Sequence, residues 1–468
     1  MAKIRIFRHY VPLPFLLLGI LEFVLFALSV YAGAWLRFSG DQAAAAAYIG
    51  WLFPRSLLYA SILSLAMISV GLYQARLREG LAGILIRLLA AYILGALTLT
   101  FLFYLFPSVF IGRGALGLAF LVSLVGVLGV RTLFYRLIDL EAFKRRTLVL
   151  GAGRQARSIA QALESGEQCT FTVLGFVPMP GDTPRVPEAL RLDLPADQPL
   201  ADFCRAQQAD EIVVAVDDRR QGMPIEQLLD CRIGGLEVVD VQTFFEREFG
   251  KIRVDLLTPS WLVFSDGFQM NAFRDMTKRL LDITASILLL VVGWPFMLLT
   301  VLGIWLEEGP RAPVFYRQRR VGQNGVPFDM LKFRSMRVDA EKDGARWAQA
   351  DDDRKTRVGR VIRKFRIDEL PQILNVLRGD MSLVGPRPER PEFVRELARR
   401  IPYYDERHRV KPGITGWAQL RYPYAANEHD TLEKLQYDLY YVKNHSFLLD
   451  LLILLQTAEV VLWSKGAR

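Results

Sequence analysis

Two adjacent carboxylates, Asp368 and Glu369, lie in a strongly basic stretch of the chain and are followed by Pro371. The arginines on either side of them are Arg363, Arg366, Arg378 and Arg387. A carboxylate can act as a nucleophile in phosphoryl transfer, and fixed cations reduce the repulsion between that anion and a phosphate. Arginines also pair with phosphate oxygens and keep nearby carboxylates ionised. The stretch therefore indicates chemistry at a phosphate group.

Pro371 also bears on the local structure. Proline suits the first turn of a helix, so we predict a helix through the segment PQILNVL, which begins at this residue. The two carboxylates would then precede a helix N-terminus, where free backbone N–H groups favour anions. An alternative is that Asp368 and Glu369 only cap that helix. These residues by themselves leave both interpretations open.

Other cations could also contact phosphate. Lys332 and Arg334 occupy alternate positions in KFRSM, so they would share one face of a strand. They could bind phosphate or nucleotide, or form a solvated charged face. Pro386 and Pro388 fix the backbone around Arg387, which is a rigid way to aim a guanidinium group. A plain loop is the alternative there.

The whole chain has the composition of a membrane protein. It has 468 residues, 52% of which are hydrophobic, and its net charge is +9. This combination favours contact with anionic headgroups or phosphorylated ligands. Nucleic acid is the rival explanation of the charge, but no binding motif supports it, and we predict no such partner. The three cysteines are widely spaced, which argues against a disulfide framework, and the four histidines lack zinc-site spacing.

Four apolar stretches in the first third are each long enough to span a membrane. The predicted spans are Leu13–Leu36, Leu52–Tyr73, Leu81–Phe106 and Leu116–Phe134. Basic residues are concentrated before the first span, after the second and after the fourth, which places both ends in the cytoplasm. We predict a four-helix transmembrane bundle over residues 1–138. Glu22, Arg55 and Arg87 are interpreted as helix-pairing or snorkelling groups, with a functional role as the alternative.

A second domain is predicted over residues 146–250. A short apolar strand leads into Gly151-Ala152-Gly153 and then a helix, with Ala156 in the last position of a G-x-G-x-x-A turn. The runs FTVLGFV, EIVVAV and LEVVDV alternate with helical stretches, which predicts a Rossmann-like parallel α/β domain. A dinucleotide site should have an acidic residue after the second strand, where this chain has Pro178. A structural or regulatory domain is therefore favoured over a working nucleotide site.

A fifth apolar segment lies between Lys278 and Pro310, with Pro295 at its middle. Proline bends a helix, and both flanks of this segment are basic, whereas a crossing helix should have asymmetric flanks. We predict a re-entrant helix over residues 279–306 that enters the cytoplasmic leaflet, turns at Trp294-Pro295 and returns. The alternative is a fifth span with a proline kink, which would place the rest of the chain outside the cell.

Dense motifs fill the chain between Asp275 and the C-terminus. In order, they are KRLLD, PVFYRQRRVG, FDMLKFRSM, DDRKTRVGRVIRKFRIDELPQILNVLRGDMSLVGPRPE, KPGITGWAQL and YDLYYVKNHSFLLDLLILLQT. This region resembles the bacterial sugar transferase family, the monotopic polyprenyl-phosphate glycosyl-1-phosphate transferases. The four spans and the Rossmann-like domain resemble its large, exopolysaccharide-initiating members. Arg366 departs from the family pattern, since most members carry Ser or Thr shortly before the acidic pair.

The resemblance implies a function and a set of site residues. A sugar 1-phosphate, expected to carry a hexose such as glucose or galactose, would pass from a UDP-sugar to undecaprenyl phosphate with release of UMP. Asp368 would be the nucleophile of a covalent aspartyl-phosphosugar intermediate, and Glu369 its partner in acid–base or metal work. Both carboxylates would bind the Mg²⁺ that the family requires. The expected phosphate-binding residues are Lys332, Arg334, Arg363 and Arg387, and Pro295 matches the kink of the family's membrane helix.

The predicted fold class is a membrane protein with α and α/β parts, whose membrane-associated, mostly α catalytic domain covers residues 275–468. We expect a multi-pass protein of the bacterial inner membrane, in contact with its lipids and with soluble domains facing the cytoplasm; a homodimer is left open.

One rival to this function is an assembly or regulatory protein with an inactive transferase domain, against which the intact acidic pair argues. The other is a glycosyl transferase that moves sugar without phosphate and releases UDP.

Two features near the C-terminus have open alternatives. The segment SFLLDLLILLQTAEVVLW is apolar but interrupted by Asp450, Gln456 and Glu459. It indicates an amphipathic helix on the membrane surface, or a helix packed into the catalytic domain. Trp417 follows a Pro-Gly turn and could stack on a base or lie at the lipid interface.

Overall fold

A computed structural model describes most of the chain. The described residues are 3–6, 9–39, 52–73, 81–137, 144–164, 171–195, 197–218, 220, 223–257, 261, 272–337, 354–422 and 428–462. The chain divides into two units, Met1–Leu256 and Leu257–Arg468. Each unit is described by itself.

The first unit begins with a short hairpin and four apolar helices. These are β1 (Lys3–Ile6), β2 (His9–Pro12), α1 (Leu13–Arg37), α2 (Leu52–Ser69), α3 (Leu81–Leu105) and α4 (Arg113–Leu137). All four helices are long and apolar enough to cross a membrane. Helix α1 packs against α2 and α4, and α2 packs against α3. The second helix ends at Ser69, before the predicted Tyr73, and the other three follow the predicted spans closely.

Polar groups join these helices. The carboxylate of Glu22 accepts hydrogen bonds from Arg131, with the shorter at 2.6 Å, and from the hydroxyl of Tyr73. Arg131 also donates to the carbonyl of Leu72 at 3.2 Å, and Arg87 donates to a carbonyl in the same turn. Buried charges in an apolar bundle require such pairing. The helix-pairing interpretation of Glu22 and Arg87 is therefore confirmed.

A parallel sheet follows in the same unit. Its strands are β3 (Arg145–Leu150), β4 (Phe171–Val177), β5 (Glu211–Val214) and β6 (Glu237–Asp240), in the spatial order β4-β3-β5-β6. Its helices are α5 (Arg154–Glu164), α6 (Leu200–Ala206), α7 (Ile225–Ile233) and α8 (Val241–Phe249). Separate apolar cores, one containing Phe244 and the other Cys204, pack against the sheet. The predicted parallel α/β domain is confirmed. Cys204 and Cys231 are buried thiols, and Cys169 lies outside the described residues.

The second unit is mostly helical. Its elements are α9 (Ala272–Glu308), β7 (Phe315–Val321), β8 (Pro327–Phe333), α10 (Arg357–Lys364), α11 (Gln372–Arg378), β9 (Ser382–Val384), α12 (Pro391–Arg400), β10 (Gly413–Thr415), α13 (Trp417–Arg421), α14 (Glu428–Asn444) and α15 (Phe447–Leu462). Strands β7 and β8 form an antiparallel hairpin, and β9 and β10 form a parallel pair. Short 3-10 turns lie at Ile367–Glu369 and Tyr404–Arg409.

Helix α9 is longer than a membrane span. At about 1.5 Å per residue, its 37 residues measure roughly 55 Å, against roughly 30 Å for a hydrocarbon core. The helix runs through Pro295, so the predicted turn at Trp294-Pro295 does not interrupt the helical backbone. Proline removes one hydrogen bond and clashes with the preceding turn, which bends a helix without having to end it.

Both ends of α9 are attached to the body of the same unit. Near its start, Arg279 donates hydrogen bonds to the carbonyls of Val376 and Leu377, each at 2.6 Å. These carbonyls lie in the last turn of α11, where the amide four residues further on is outside the helix, so Arg279 supplies a hydrogen-bond donor to each of them. Near its end, Glu307 accepts hydrogen bonds from the amides of Arg357 and Val358, at 2.7 and 2.9 Å, and so caps the start of α10.

The final helix, α15, is packed into the unit through its one buried carboxylate among the described residues. Asp450 is 1% exposed and bonds Lys278 at 2.8 Å and the hydroxyl of Tyr441 at 2.7 Å. This supports the packed alternative for the tail. Trp417 is also buried, at 2% exposed, and stacks on Tyr440 with a centroid distance of 5.8 Å. Both alternatives given for Trp417, base stacking and the lipid interface, are therefore wrong.

Candidate active site

The acidic pair lies in a tight turn between α10 and α11. Helix α10 begins at Thr356, whose hydroxyl accepts a hydrogen bond from the amide of Gly359 at 2.8 Å. After the helix ends, Arg366 takes a left-handed conformation with φ of 54°, and Asp368 and Glu369 follow in the 3-10 turn. A left-handed residue other than glycine costs about 1–2 kcal/mol. The surrounding contacts must therefore stabilise this bend.

Three cations surround Glu369. Its carboxylate accepts hydrogen bonds from Arg387 at 3.2 Å and from Arg366 at 3.4 Å, and the ammonium group of Lys332 lies 3.8 Å away. Glu369 is only 9% exposed, whereas the side chains of Arg387 and Arg366 are 39% and 43% exposed, so water screens these pairs mainly from the side of the arginines. The position and charge of this carboxylate are thus fixed by the fold.

Asp368 is equally buried but has a different environment. It accepts no hydrogen bond from the described part of the chain. Arg363 is near enough to interact electrostatically with it, although no hydrogen bond joins the two side chains. Glu369 is therefore held by three cations, whereas Asp368 has lone pairs that no described residue uses and that another group could use.

The two carboxyl groups have opposite shifts in pKa. Burial and the neighbouring charge of Glu369 raise the pKa of Asp368 to about 6, although Lys332, Arg363 and Arg387 act in the opposite direction. Burial alone would raise the pKa of Glu369, but Arg387, Lys332 and Arg366 together outweigh it and lower that pKa. Asp368 is therefore the more basic carboxylate, and a more basic oxygen is the better nucleophile.

The helix-capping alternative for the acidic pair is wrong. Helix α11 begins at Gln372, one residue later than predicted, and Pro371 precedes it without any side-chain cap. Glu369 points its carboxylate to the cations rather than to the amides of this helix. The strong electrostatic attraction of three cations outweighs the weaker gain from a cap.

Arg387 lies on a loop whose backbone is held from several directions. The carbonyls of Pro386, Arg387, Pro388 and Glu389 accept hydrogen bonds from Gly413, Arg407, Arg320 and Val321, respectively, at 2.9–3.0 Å. Arg407 is in turn paired with the buried carboxylate of Asp438 at 2.8 Å. The plain-loop alternative is therefore wrong, because this loop is fixed and aims the guanidinium of Arg387 at Glu369.

The structure brings together three of the four predicted phosphate-binding cations. Lys332 and Arg387 contact Glu369, and Arg363 is close to Asp368. Burial lowers the pKa of Lys332, and the charge of Glu369 partly offsets that effect. Arg334 follows β8, and its Nε is buried without a hydrogen-bond partner among the described residues. No described contact joins it to either carboxylate, so its role stays a prediction.

Comparisons with known proteins identify the family of this chain. The family model described as bacterial sugar transferase matches residues 273–464, and one described as a CoA-binding domain matches residues 69–229. A UDP-glucose:undecaprenyl-phosphate glucose-1-phosphate transferase from Xanthomonas campestris is 31% identical over 373 residues, which are 76% of this chain and 75% of the relative. The chain belongs to the bacterial sugar transferase family.

Two further members of the bacterial sugar transferase family show how the similarity varies along the chain. A UDP-glucose:undecaprenyl-phosphate glucose-1-phosphate transferase from Caulobacter vibrioides is 43% identical over 41% of this chain and 72% of its own length. A UDP-N-acetylgalactosamine-undecaprenyl-phosphate N-acetylgalactosaminephosphotransferase from Aeromonas hydrophila is 44% identical over 52% of this chain. The match covers 56% of that Aeromonas protein, so the chain spans about half the length of this relative.

Sequence reasoning missed residues that hold the elements around the candidate site in place. Arg407 and Asp438 lie 31 positions apart in the chain, and their pairing fixes the loop of Arg387. Lys278 similarly joins Tyr441 and Asp450. The available signal was weak: a charged residue within an otherwise apolar run, such as Asp450 in SFLLDLL, indicates a buried partner elsewhere.

The raised pKa of Asp368 predicts a pH-dependent gain in stability on Asp368→Asn. A carboxyl with a folded-state pKa of about 6 and an ordinary value of 3.8 binds more protons when folded. Its ionisation therefore destabilises the protein increasingly between about pH 4 and pH 6, and the full penalty remains above that window. Without Mg²⁺, Asp368→Asn should raise the melting temperature by a few degrees at pH 8, and by less as the pH falls towards 4.

The measurement is thermal unfolding of the detergent-solubilised protein across this pH range. Glu396→Gln is a suitable control, because Glu396 forms an exposed pair with Arg400 in which each side chain is 58% exposed. Exposed pairs contribute little to stability, so this variant should show almost no shift. A lower melting temperature for Asp368→Asn at pH 8 would show that ionised Asp368 is stabilised by the cations rather than penalised.

Proposed function

We propose that this chain transfers a sugar 1-phosphate from a UDP-sugar to undecaprenyl phosphate and releases UMP, as the first step of exopolysaccharide biosynthesis. The observation that carries the proposal is the asymmetry of the acidic pair: Asp368 accepts no hydrogen bond from the described residues, and Glu369 is held by Arg387, Arg366 and Lys332. Relatives named as glucose and N-acetylgalactosamine 1-phosphate transferases support the substrate class. The sugar is a hexose, with glucose or galactose as the first candidates.

The reaction proceeds in two displacements at the phosphorus that carries the sugar. A carboxylate oxygen of Asp368 attacks this phosphorus, and the bond from phosphorus to the bridging oxygen breaks, so that UMP leaves with the electron pair. A phosphate oxygen of the lipid then attacks the same phosphorus. The acyl-phosphate bond breaks, the lipid receives the sugar 1-phosphate, and the carboxylate of Asp368 is restored.

The cations around the pair make the first displacement feasible. Attack by one anion on another requires positive charge that is already in place, because reorganising it during the reaction would raise the barrier. Arg363 interacts electrostatically with the nucleophile, its side chain has no hydrogen-bonded partner among the described residues, and it can bind a diphosphate oxygen. Arg387 and Lys332 are partly neutralised by Glu369, so they remain in place when no substrate is bound.

The donor set also fits Mg²⁺ when the substrate is present. Mg²⁺ prefers six oxygen ligands and is often held by one or two carboxylates together with phosphates and water. Asp368 offers carboxylate oxygens that have no partner in the described part of the chain, and Glu369 lies next to it with its oxygens shared among cations. These two residues would hold the ion, and diphosphate oxygens and water would complete its ligand set. Bound there, Mg²⁺ would reduce the negative charge on the diphosphate.

Nucleotide release separates this function from its rivals. Purified protein, Mg²⁺ and undecaprenyl phosphate are incubated with individual UDP-sugars, and the nucleotide product is identified by chromatography. Release of UMP with one or a few UDP-hexoses is expected. Release of UDP would show a glycosyl transferase that moves sugar without phosphate. No nucleotide release with any UDP-sugar, from a protein shown to be folded, would favour the assembly or regulatory alternative.

We also propose that α9 enters only the cytoplasmic leaflet of the inner membrane, so that the second unit faces the cytoplasm. The support is the attachment of both ends of α9 to one body: Arg279 bonds the end of α11, and Glu307 caps α10. A helix that crossed the bilayer would carry these contacts to opposite sides. Much of its surface remains apolar and exposed, including Trp294 and Leu298, and this surface would face lipid.

Cysteine accessibility tests this placement. In a variant lacking the native cysteines, Ala272→Cys lies at the start of α9, and Arg311→Cys lies just after its end. Both thiols should be protected from a membrane-impermeant maleimide in intact cells and should react after the membrane is permeabilised. Labelling of Arg311→Cys alone in intact cells would show that α9 is a fifth span. Arg113→Cys, at the first residue of α4 and on the side of the membrane predicted to face outwards, provides a positive control.

A further inference from the structure

The Gly151–Gly153 turn has the backbone of a nucleotide phosphate site, but carboxylates of the same chain occupy its amides. The amides of Arg154 and Gln155, at the start of α5, donate to the two oxygens of Asp217, at 2.7 and 2.9 Å. The amide of Ala152 donates to Asp182 at 2.9 Å. In a dinucleotide-binding domain, such amides at the helix N-terminus bind the pyrophosphate.

The two carboxylates reach this turn from the neighbouring strands. Strand β3 lies between β4 and β5 in the sheet, and Asp182 follows β4, whereas Asp217 follows β5. Asp182 also accepts from the amides of Met179 and Asp217, which ties the two loops together. The acid that was missing directly after the second strand is thus present a few residues later, and it bonds the turn itself.

Gly153 provides an independent sign that the turn is adapted to Asp217. A Cβ atom at this position would lie 2.3 Å from one carboxylate oxygen of Asp217 and 2.7 Å from its Cγ. At Gly151 the requirement is different: φ is +119°, and a Cβ would lie 2.5 Å from the backbone carbonyl oxygen of Ala215. The second glycine of the motif therefore makes room for a carboxylate side chain, where a dinucleotide site uses it to admit pyrophosphate.

We propose that the carboxylate of Asp217 is an internal ligand of this turn and takes the place of a nucleotide phosphate. The domain of this chain would then not bind CoA, although the family model that matches residues 69–229 is described as a CoA-binding domain. Asp217 is exposed to solvent. Because it belongs to the same chain as the turn, its effective concentration there is high, and a free phosphate ligand must compete with it. Its negative charge also repels an incoming phosphate. The domain then keeps the architecture of a nucleotide-binding fold with its anion site closed by its own side chain.

A set of glycine variants tests the geometry through thermal unfolding of the full-length protein. Gly153→Ala should lower the melting temperature in the wild-type background but should have almost no further effect in an Asp217→Ala background, because the obstructing side chain is gone. Gly151→Ala is the matched control and should destabilise both backgrounds, since its clash is with backbone. A Gly153→Ala defect that persists unchanged in the Asp217→Ala background would overturn the proposal.

Binding measurements test the chemical claim. Equilibrium dialysis is carried out with CoA and with inorganic pyrophosphate, in the presence of saturating UDP to fill the transferase site. For the wild type, the Kd of each ligand should be above about 1 mM. For Asp217→Ala, the Kd of at least one ligand should be lower by about tenfold or more. Micromolar CoA binding by the wild type would overturn the proposal, as would a folded Asp217→Ala protein with no gain for either ligand. Turnover of these variants per folded molecule should stay within about threefold of wild type, because the proposal gives this turn no part in the transfer reaction.

Discussion

Asp368→Asn is expected to reduce turnover by about a thousandfold or more, the scale of losing an essential covalent group. The amide keeps the size of the carboxylate but cannot form the acyl-phosphate bond. The fold should survive, because Asp368 accepts no hydrogen bond from the described residues and its ionisation is unfavourable in the folded state. The measurement is the initial rate of UMP release at saturating UDP-sugar and lipid phosphate.

Mass spectrometry distinguishes a lost nucleophile from a lost metal ligand. Wild-type protein incubated with UDP-sugar and Mg²⁺, but without lipid acceptor, should carry a hexose-phosphate adduct on the peptide containing Asp368. The Asn variant should carry none, and the wild-type kinetics should be ping-pong. If no adduct can be trapped and initial rates show a ternary complex, the lipid phosphate attacks directly, and Asp368 serves only as a metal ligand or base.

Glu369→Gln should reduce kcat by about a hundredfold or more, through charge rather than through the covalent bond. The substitution removes the negative charge shared by Arg387, Arg366 and Lys332, so these cations repel one another and lose their fixed positions. Freed from Glu369, they should bind the diphosphate at least as tightly as in the wild type. The expected signature is therefore a low kcat with an unchanged or lower KM for UDP-sugar.

Adduct formation separates Glu369 from its neighbour. Glu369→Gln should still form the aspartyl adduct, only more slowly, whereas Asp368→Asn should form none. Glu396→Gln, at an exposed ion pair on α12, controls for general loss of a carboxylate and should have wild-type kinetics. A large rise in KM for Glu369→Gln with little change in kcat would show that Glu369 organises substrate binding and takes no part in the chemical step.

The sequence was informative where a pattern is local. Spans of apolar residues predicted α1 to α4, and alternating apolar runs predicted the parallel strands, because both depend on burial of neighbouring positions along the chain. The charge pattern around the acidic pair and Arg387 indicated chemistry at a phosphate, and the resemblance to the family assigned roles to these residues. The exact start of α11 was displaced by one residue, since Pro371 lies before the helix rather than in its first turn.

Other features depend on contacts between distant residues and could not be predicted. Trp417 follows a turn signal that favours exposure, but tertiary packing places it against Tyr440. The left-handed conformation of Arg366 contradicts the preference of arginine for other backbone regions, and only the geometry around Glu369 explains it. Asp217 lies more than 60 residues after the glycine turn, so no local motif links the two.

The ion pair between Lys278 and Asp450 sets an order of events during synthesis. These residues are separated by 172 positions, and ribosomes add about 5–20 residues per second, so Lys278 exists for roughly 10–30 s before its partner is made. During that interval, the start of α9 carries an ammonium group beside a long apolar helix without the carboxylate that later neutralises it. The start of the nascent helix α9 can lie in the headgroup layer, where the ammonium group of Lys278 stays hydrated while the apolar side chains contact lipid. The last helix is made after the rest of the unit, so a chain interrupted before residue 450 would retain its acidic pair but lack the carboxylate that pairs with Lys278 at the start of α9.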